Sequence, residues 1–149
     1  MKLWIAFIAA CLAVAPASAK GFIAIVTHDA APLVQFYRDA FDTKLVRTVR
    51  PKDRDVIVSI LDGPLATIEI VERADAKIIE GRANTRVGFA KAGFQVDRIE
   101  PWLARWRAMG ARIIIEPFDD PAPPMRSVVL IDPDGNALHI MAPLAPGKD

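Results

Sequence analysis

The sequence predicts an α+β protein in which a β-α-β-β-β module is written twice within one domain. Three observations carry this. Ser59–Val71 (SILDGPLATIEIV) lies over Val129–Met141 (VLIDPDGNALHIM) at a constant shift of 70 residues, pairing Asp62 with Asp132 and Glu69 with His139. Each copy is preceded by an apolar stripe at helical spacing: Leu33, Phe36, Tyr37 and Phe41 in one, Trp102, Leu103, Trp106 and Met109 in the other. The composition, 52% hydrophobic and 25% charged over 149 residues, suits one folded domain and not a disordered chain.

The elements follow in order. Phe22–Thr27 alternates as a strand, and Asp29 is a good N-cap for a helix running to Phe41. Strands are predicted over Lys44–Val49, Val56–Leu61 and Ala66–Val71. Residues 73–86 carry mixed charge and few apolar side chains, so they serve as a connector. The second module, about 87–142 against 22–72 for the first, opens on a strand at Ala92–Val96. Its helix is predicted from Ile99 to Met109, with Asp97 ahead of it, Pro101 in its first turn and Gly110 as the stop. Strands at Arg112–Ile115, Ser127–Ile131 and Ala137–Met141 complete it, with Phe118–Pro124 (FDDPAPP) expected as a Pro-rich loop.

The first 19 residues read as a signal peptide instead of part of the fold. Lys2 precedes an unbroken apolar run from Leu3 to Ala15, and Ala17-Ser18-Ala19 offers a small-residue cleavage site. That run is too short for the ~20 residues that span a bilayer, so no stable membrane anchor is expected after cleavage. Cleavage before Lys20 would leave 20–149 as a single exported domain, periplasmic or secreted. Lipidation at Cys11, in Ile8-Ala9-Ala10-Cys11, is the alternative processing route. Cys11 is the sole cysteine, so residues 20–149 offer neither a thiol nucleophile nor a disulfide. Lys2 is the sole charged residue of the leader, which turns a net charge of +1 into a neutral domain. A neutral domain carries no electrostatic footprint for nucleic acid.

Several catalytic signatures are absent: a phosphate-binding glycine loop, a GxSxG elbow and HExxH do not occur. Asp132-Pro-Asp-Gly-Asn136 superficially resembles a calcium loop, but glycine stands fourth instead of sixth and Pro143 occupies the twelfth position. The segment reads as a hairpin turn. His28 is expected to be a solvated turn residue, and Trp102 with Trp106 to pack in a core or interface.

The stretches FIAIVTHDAAPLVQFYRDAFDTKLV, FQVDRIEPWLARWRAMGARI and RSVVLIDPDGNALHI resemble the vicinal oxygen chelate superfamily, which contains glyoxalase I, bleomycin-resistance proteins and extradiol dioxygenases. The resemblance covers about residues 22–142. It implies a cup-shaped mixed sheet with helices on the outer face, a homodimer, and in most members a divalent metal held by four strand residues. Those positions fall on Phe22, Glu69, Lys91 and His139. Phenylalanine has no donor atom, and a lysine ammonium with an ordinary pKa near ~10.4 repels a dication. Two usable ligands fall short of the three or more of a catalytic site. No metal and no other cofactor is therefore expected.

A mixed cup is expected in its place. Strand alternation groups Phe22, Ala24 and Val26 with Thr67, Glu69 and Val71, and likewise Lys91, Gly93 and Gln95 with Ala137, His139 and Met141. Phe22, Lys91, Gln95 and Arg126 are the candidate ligand-binding residues, Arg126 as an anion contact at the cup mouth. Glu69 and His139 are the candidate catalytic acid–base pair, although an internal Glu69–Lys91 ion pair is the more economical expectation. Two functions follow: binding of a small, largely apolar molecule, or a lyase, isomerase or dioxygenase activity using Glu69 and His139, with or without a metal.

Overall fold

The computed structural model describes residues 20–78 and 87–144; the expected signal peptide lies outside them. The order of elements is β1 (Gly21–Thr27), α1 (Ala30–Phe41), β2 (Lys44–Val49), β3 (Ile57–Asp62) and β4 (Ala66–Glu72) in the first module. The second module has β5 (Ala92–Gln95), α2 (Glu100–Ala108), β6 (Arg112–Pro121), β7 (Pro124–Ile131) and β8 (Ala137–Pro143). Two four-stranded mixed sheets result, ordered β1-β4-β3-β2 and β5-β8-β7-β6. In each, the first strand pairs parallel to the last, and the remaining pairs are antiparallel. The duplicated α+β reading holds. Among the described residues no helix is long and apolar enough to cross a membrane.

Alternation along the strands sorts their side chains as expected. Ile68 and Ile70 of β4 and Leu138 and Ile140 of β8 are buried under the helices, while Thr67, Glu69, His139 and Met141 point to the opposite face. Burying these four aliphatic side chains contributes about 1.5–3 kcal/mol each.

Helix α1 begins as its sequence dictates. Asp29 accepts a hydrogen bond from the Ala31 N–H at 3.0 Å, and Glu72, at the end of β4, accepts from the Ala30 N–H at 2.9 Å. Two of the four orphan donors at the helix start are thereby satisfied. Helix α2 lacks a side-chain cap: Ile99 holds the cap position, two residues beyond Asp97. Pro101 lies in its first turn, and Gly110 follows with φ +71°, the left-handed region that favours glycine.

The modules join through their helices. Leu33, Phe36, Tyr37, Ala40 and Phe41 are buried on α1, and Phe41 packs against Phe94, Trp102 and Trp106 with ring centroids 5.5–6.3 Å apart. Trp106 is fully buried and donates its indole N–H to the Ala40 carbonyl at 2.9 Å. Tyr37, equally enclosed, donates its hydroxyl to Asp132 at 3.0 Å.

One expectation needs correction. Phe118–Pro124 is not a loop: β6 continues to Pro121, β7 starts at Pro124, and these two prolines pair across a tight turn. Prolines are tolerated there because β6 is the outermost strand and they stand at the strand ends, where a missing N–H breaks no central ladder.

Candidate ligand-binding cleft

One unpaired edge of each sheet, β1 and β5, borders a cleft of about 950 Å³. Nearly all of both strands line it, together with the start of β4, the start of β8, and the segment Phe89–Lys91 that leads into β5. The size suits a small organic molecule. Phe22 and Phe89 hold aromatic rings out at 62% and 95% exposure, and Tyr37 and Phe94 close the interior. Among the residues lining the cleft, Lys91 is the one charged side chain; the polar ones are Tyr37, Gln95 and Asn136.

Tyr37 and Asn136 are already engaged. The Asp132 carboxylate is 3% exposed and accepts four hydrogen bonds: from the N–H groups of Asp134 and Asn136, the Asn136 side-chain amide and the Tyr37 hydroxyl, at 2.8–3.1 Å. Burial pushes the Asp132 carboxyl above the usual range, and these bonds oppose the shift. The Tyr37 phenol is driven far above its ordinary value by burial, and further by the neighbouring Asp132 charge. Asp132-Pro-Asp-Gly-Asn136 is therefore the expected turn, with Gly135 at φ +84°, and it also clasps the other module. Its role is mechanical. Asp62, at the corresponding place in the first module, is exposed and pairs with Lys20 and Thr67 instead.

Phe22, Lys91 and Gln95 all line the cleft, so the structure brings three of the candidate ligand-binding residues together. Glu69 and His139 hold equivalent places beside it, Glu69 paired with Ala24 on β1 and His139 with Gly93 on β5. No hydrogen bond joins Glu69 to His139, and no ion pair joins Glu69 to Lys91, among the described contacts. The expected internal ion pair is not formed. His139 buries its Nε2 without a partner, and its pKa falls below the ordinary value through desolvation first and the Lys91 charge second. A neutral imidazole results.

Arg126 is elsewhere. It stands two residues before Val128 and four before Leu130, both buried under the helices, so it shares their face of β7, opposite to His139. There it contacts Asp119 at 2.6 Å and Glu100, at the start of α2, at 3.6 Å. Contrary to expectation, Arg126 does not reach the cup mouth: β7 begins at Pro124, so Arg126 lies within the strand, where its register with the buried Ala142 turns it to the helix face. His28 is an exposed junction residue, as expected, with its Nε2 2.6 Å from the Ala76 carbonyl. Glu72 was not legible as a helix cap, since its partner Ala30 lies 42 residues away.

The donor set does not fit a divalent metal. Of the four positions the resemblance implies, Phe22 has no donor atom and Lys91 brings a positive charge. Among the described residues no group of three or more His, Cys, Asp or Glu side chains converges.

Comparison with known proteins agrees with this architecture. Residues 21–140 match the family model of the Glyoxalase/Bleomycin resistance protein/Dioxygenase superfamily. No curated protein sequence matches the chain. Among solved structures, a glyoxylase/bleomycin resistance protein/dioxygenase domain from Frankia sp. EAN1pec is similar at TM-score 0.72 and 16% identity, over 89% of this chain and 96% of that one. The fosfomycin resistance protein FosX from Listeria monocytogenes is similar at TM-score 0.65 and 15% identity, over 85% and 94%. The trypanothione-dependent glyoxalase I of Leishmania major is similar at TM-score 0.62 and 15% identity, over 85% and 87%. At these identities the likeness shows the fold. The duplicated module and the family match together establish that the chain belongs to the glyoxalase/bleomycin resistance protein/dioxygenase superfamily.

Proposed function

We propose that this protein binds a small, largely apolar molecule in the cleft between β1 and β5, without a divalent metal. The carrying observation is the cleft itself: about 950 Å³, bordered by both modules, lined by apolar and aromatic side chains and by a single charged one. Such a lining supplies affinity through apolar burial, and its few polar groups orient the ligand. Apolar surface contributes about 25 cal/mol per Å² removed from water, which favours ligands with an extended apolar body.

Thermal-shift and calorimetric titration with a panel of small aromatic and dicarbonyl compounds tests this reading. Stoichiometric binding is expected, and Ala24→Trp, which fills the cleft from β1, abolishes it. An unaltered titration in that variant would reject the site. The acid–base reading has one observation in its favour, the unpartnered Nε2 of His139, but Glu69 is not bonded to it. Turnover of any panel compound that is lost in both Glu69→Gln and His139→Gln would favour an enzyme.

Two further expectations belong to the same proposal. The leader ending at Ala19 supports export to the periplasm or beyond, and N-terminal sequencing of the secreted protein tests it. Exposed Leu45, Val46, Ile114 and Ile115 on the outer strands β2 and β6 support a homodimer that would cover them. Light scattering during size-exclusion chromatography reads the mass directly.

A further inference from the structure

We propose that the molecule held in this cleft is an anion: a flat apolar body carrying one carboxylate, or a comparable single negative charge, that pairs with Lys91. This inference rests on the cleft being a binding site and goes beyond it by naming the ligand's charge and the residue that reads it.

Two of the four polar or charged side chains lining the cleft are available to a ligand. Tyr37 and Asn136 spend their side chains on Asp132. Lys91 and Gln95 have no side-chain partner among the described residues, and both are exposed at the cleft. No carboxylate lies within 4 Å of the Lys91 ammonium among the described ion pairs. Several other basic groups also stand without an ion pair among the described residues; what sets Lys91 apart is that it is the one charged side chain lining the cleft.

Occupancy changes the situation of Lys91. In the empty cleft, water solvates the ammonium. A ligand large enough to bridge Phe22 of β1 and Gln95 of β5 displaces that water. A neutral ligand would leave a partly desolvated cation uncompensated, which is costly. A carboxylate replaces the lost hydration with a charge-assisted hydrogen bond, stronger than a neutral one. The Gln95 amide, four residues farther along the cleft wall, offers a hydrogen-bonding group to another part of the ligand. The rings of Phe22 and Phe89 offer flat apolar surface to the body of the ligand. The His139 pKa is lowered first by burial and second by the Lys91 charge, in keeping with an ammonium near the β8 side of the site. A second cation there would be repelled.

Isothermal titration of the purified protein with matched pairs tests the proposal: benzoate against benzamide, cinnamate against cinnamamide, 2-naphthoate against 2-naphthamide. The carboxylate is expected to bind at least about tenfold tighter than its amide, equivalent to about 1.4 kcal/mol. Lys91→Met should erase that preference, lowering carboxylate affinity toward or below that of the amide, whereas Lys91→Arg should preserve it. Equal binding of acid and amide to the unaltered protein would overturn the anion inference and leave the cleft reading standing. A carboxylate preference that survives Lys91→Met would overturn the role of Lys91. Binding by neither member of any pair would reject both readings.

Discussion

Tyr37 of the first module donates its hydroxyl to Asp132 of the second at 3.0 Å, across 95 residues of sequence and with both side chains buried. This bond ties helix α1 to the turn between β7 and β8. Tyr37→Phe leaves the carboxylate with three of its four partners and is expected to cost about 1–3 kcal/mol in a urea unfolding titration. Asp132→Ala removes all four bonds and should cost more. Tyr37 is the sole tyrosine, so tyrosinate absorbance reports it alone. Its phenol should stay protonated well above pH ~10 until the protein unfolds.

Gly63 approaches Thr43 so closely that an added Cβ would lie 2.5 Å from the threonine methyl. Gly63→Ala is expected to destabilise the protein by about 1–3 kcal/mol. Thr43→Ser, which removes that methyl, should recover part of the loss, giving a coupling in a double-mutant cycle that the two single variants cannot explain.

The depressed pKa of His139 fixes the sign of one pH dependence. The unfolded chain takes up a proton near pH ~6.5, while the folded protein does so only at lower pH. The stability contribution is therefore complete above the unfolded value and is lost as pH falls through the folded one. The unfolding midpoint should drop between pH ~7.5 and ~5.5, and by less in His139→Gln. The difference between the two proteins isolates this residue from Asp132, whose raised pKa acts with the opposite sign. Lys91→Met should bring the His139 titration, followed by NMR, back toward its ordinary value.

Arg126 provides a negative control for binding. Its partners Asp119 and Glu100 are exposed, and surface ion pairs contribute about 0–1 kcal/mol. Arg126→Ala should leave ligand affinity within about twofold, because its side chain is on the helix face of β7. A larger loss would place a binding determinant on the wrong side of the sheet.

Chelation should leave the melting temperature unchanged, and added zinc or manganese should not raise it, since Phe22 and Lys91 break the donor set. Phe22→His combined with Lys91→His supplies imidazoles at both positions beside Glu69 and His139. Zinc-dependent stabilisation is expected in that variant alone.

Much of this architecture was legible because local patterns and tertiary burial agree. Asp29 caps α1, the apolar stripe Leu33-Phe36-Tyr37-Phe41 is buried, and Glu69 and His139 occupy the same face of equivalent strands. The β6–β7 hairpin was hidden because Asp and Pro signal turns locally, while long pairing on an edge strand overrides them. The site was less legible, since its boundaries depend on which strand edges face one another. Phe22 and Lys91 follow from the superfamily resemblance, but Tyr37, Asn136 and Phe89 enter the cleft by long-range packing that leaves no periodic mark.

The separation of the two sheets has a mechanical consequence. With no ladder bond from β1 to β5 among the described residues, the spacing of the cleft's two walls is held from behind, by the indole of Trp106 on the Ala40 carbonyl. Trimming the Trp106 indole would shift the two walls relative to each other, although Trp106 itself does not line the cleft.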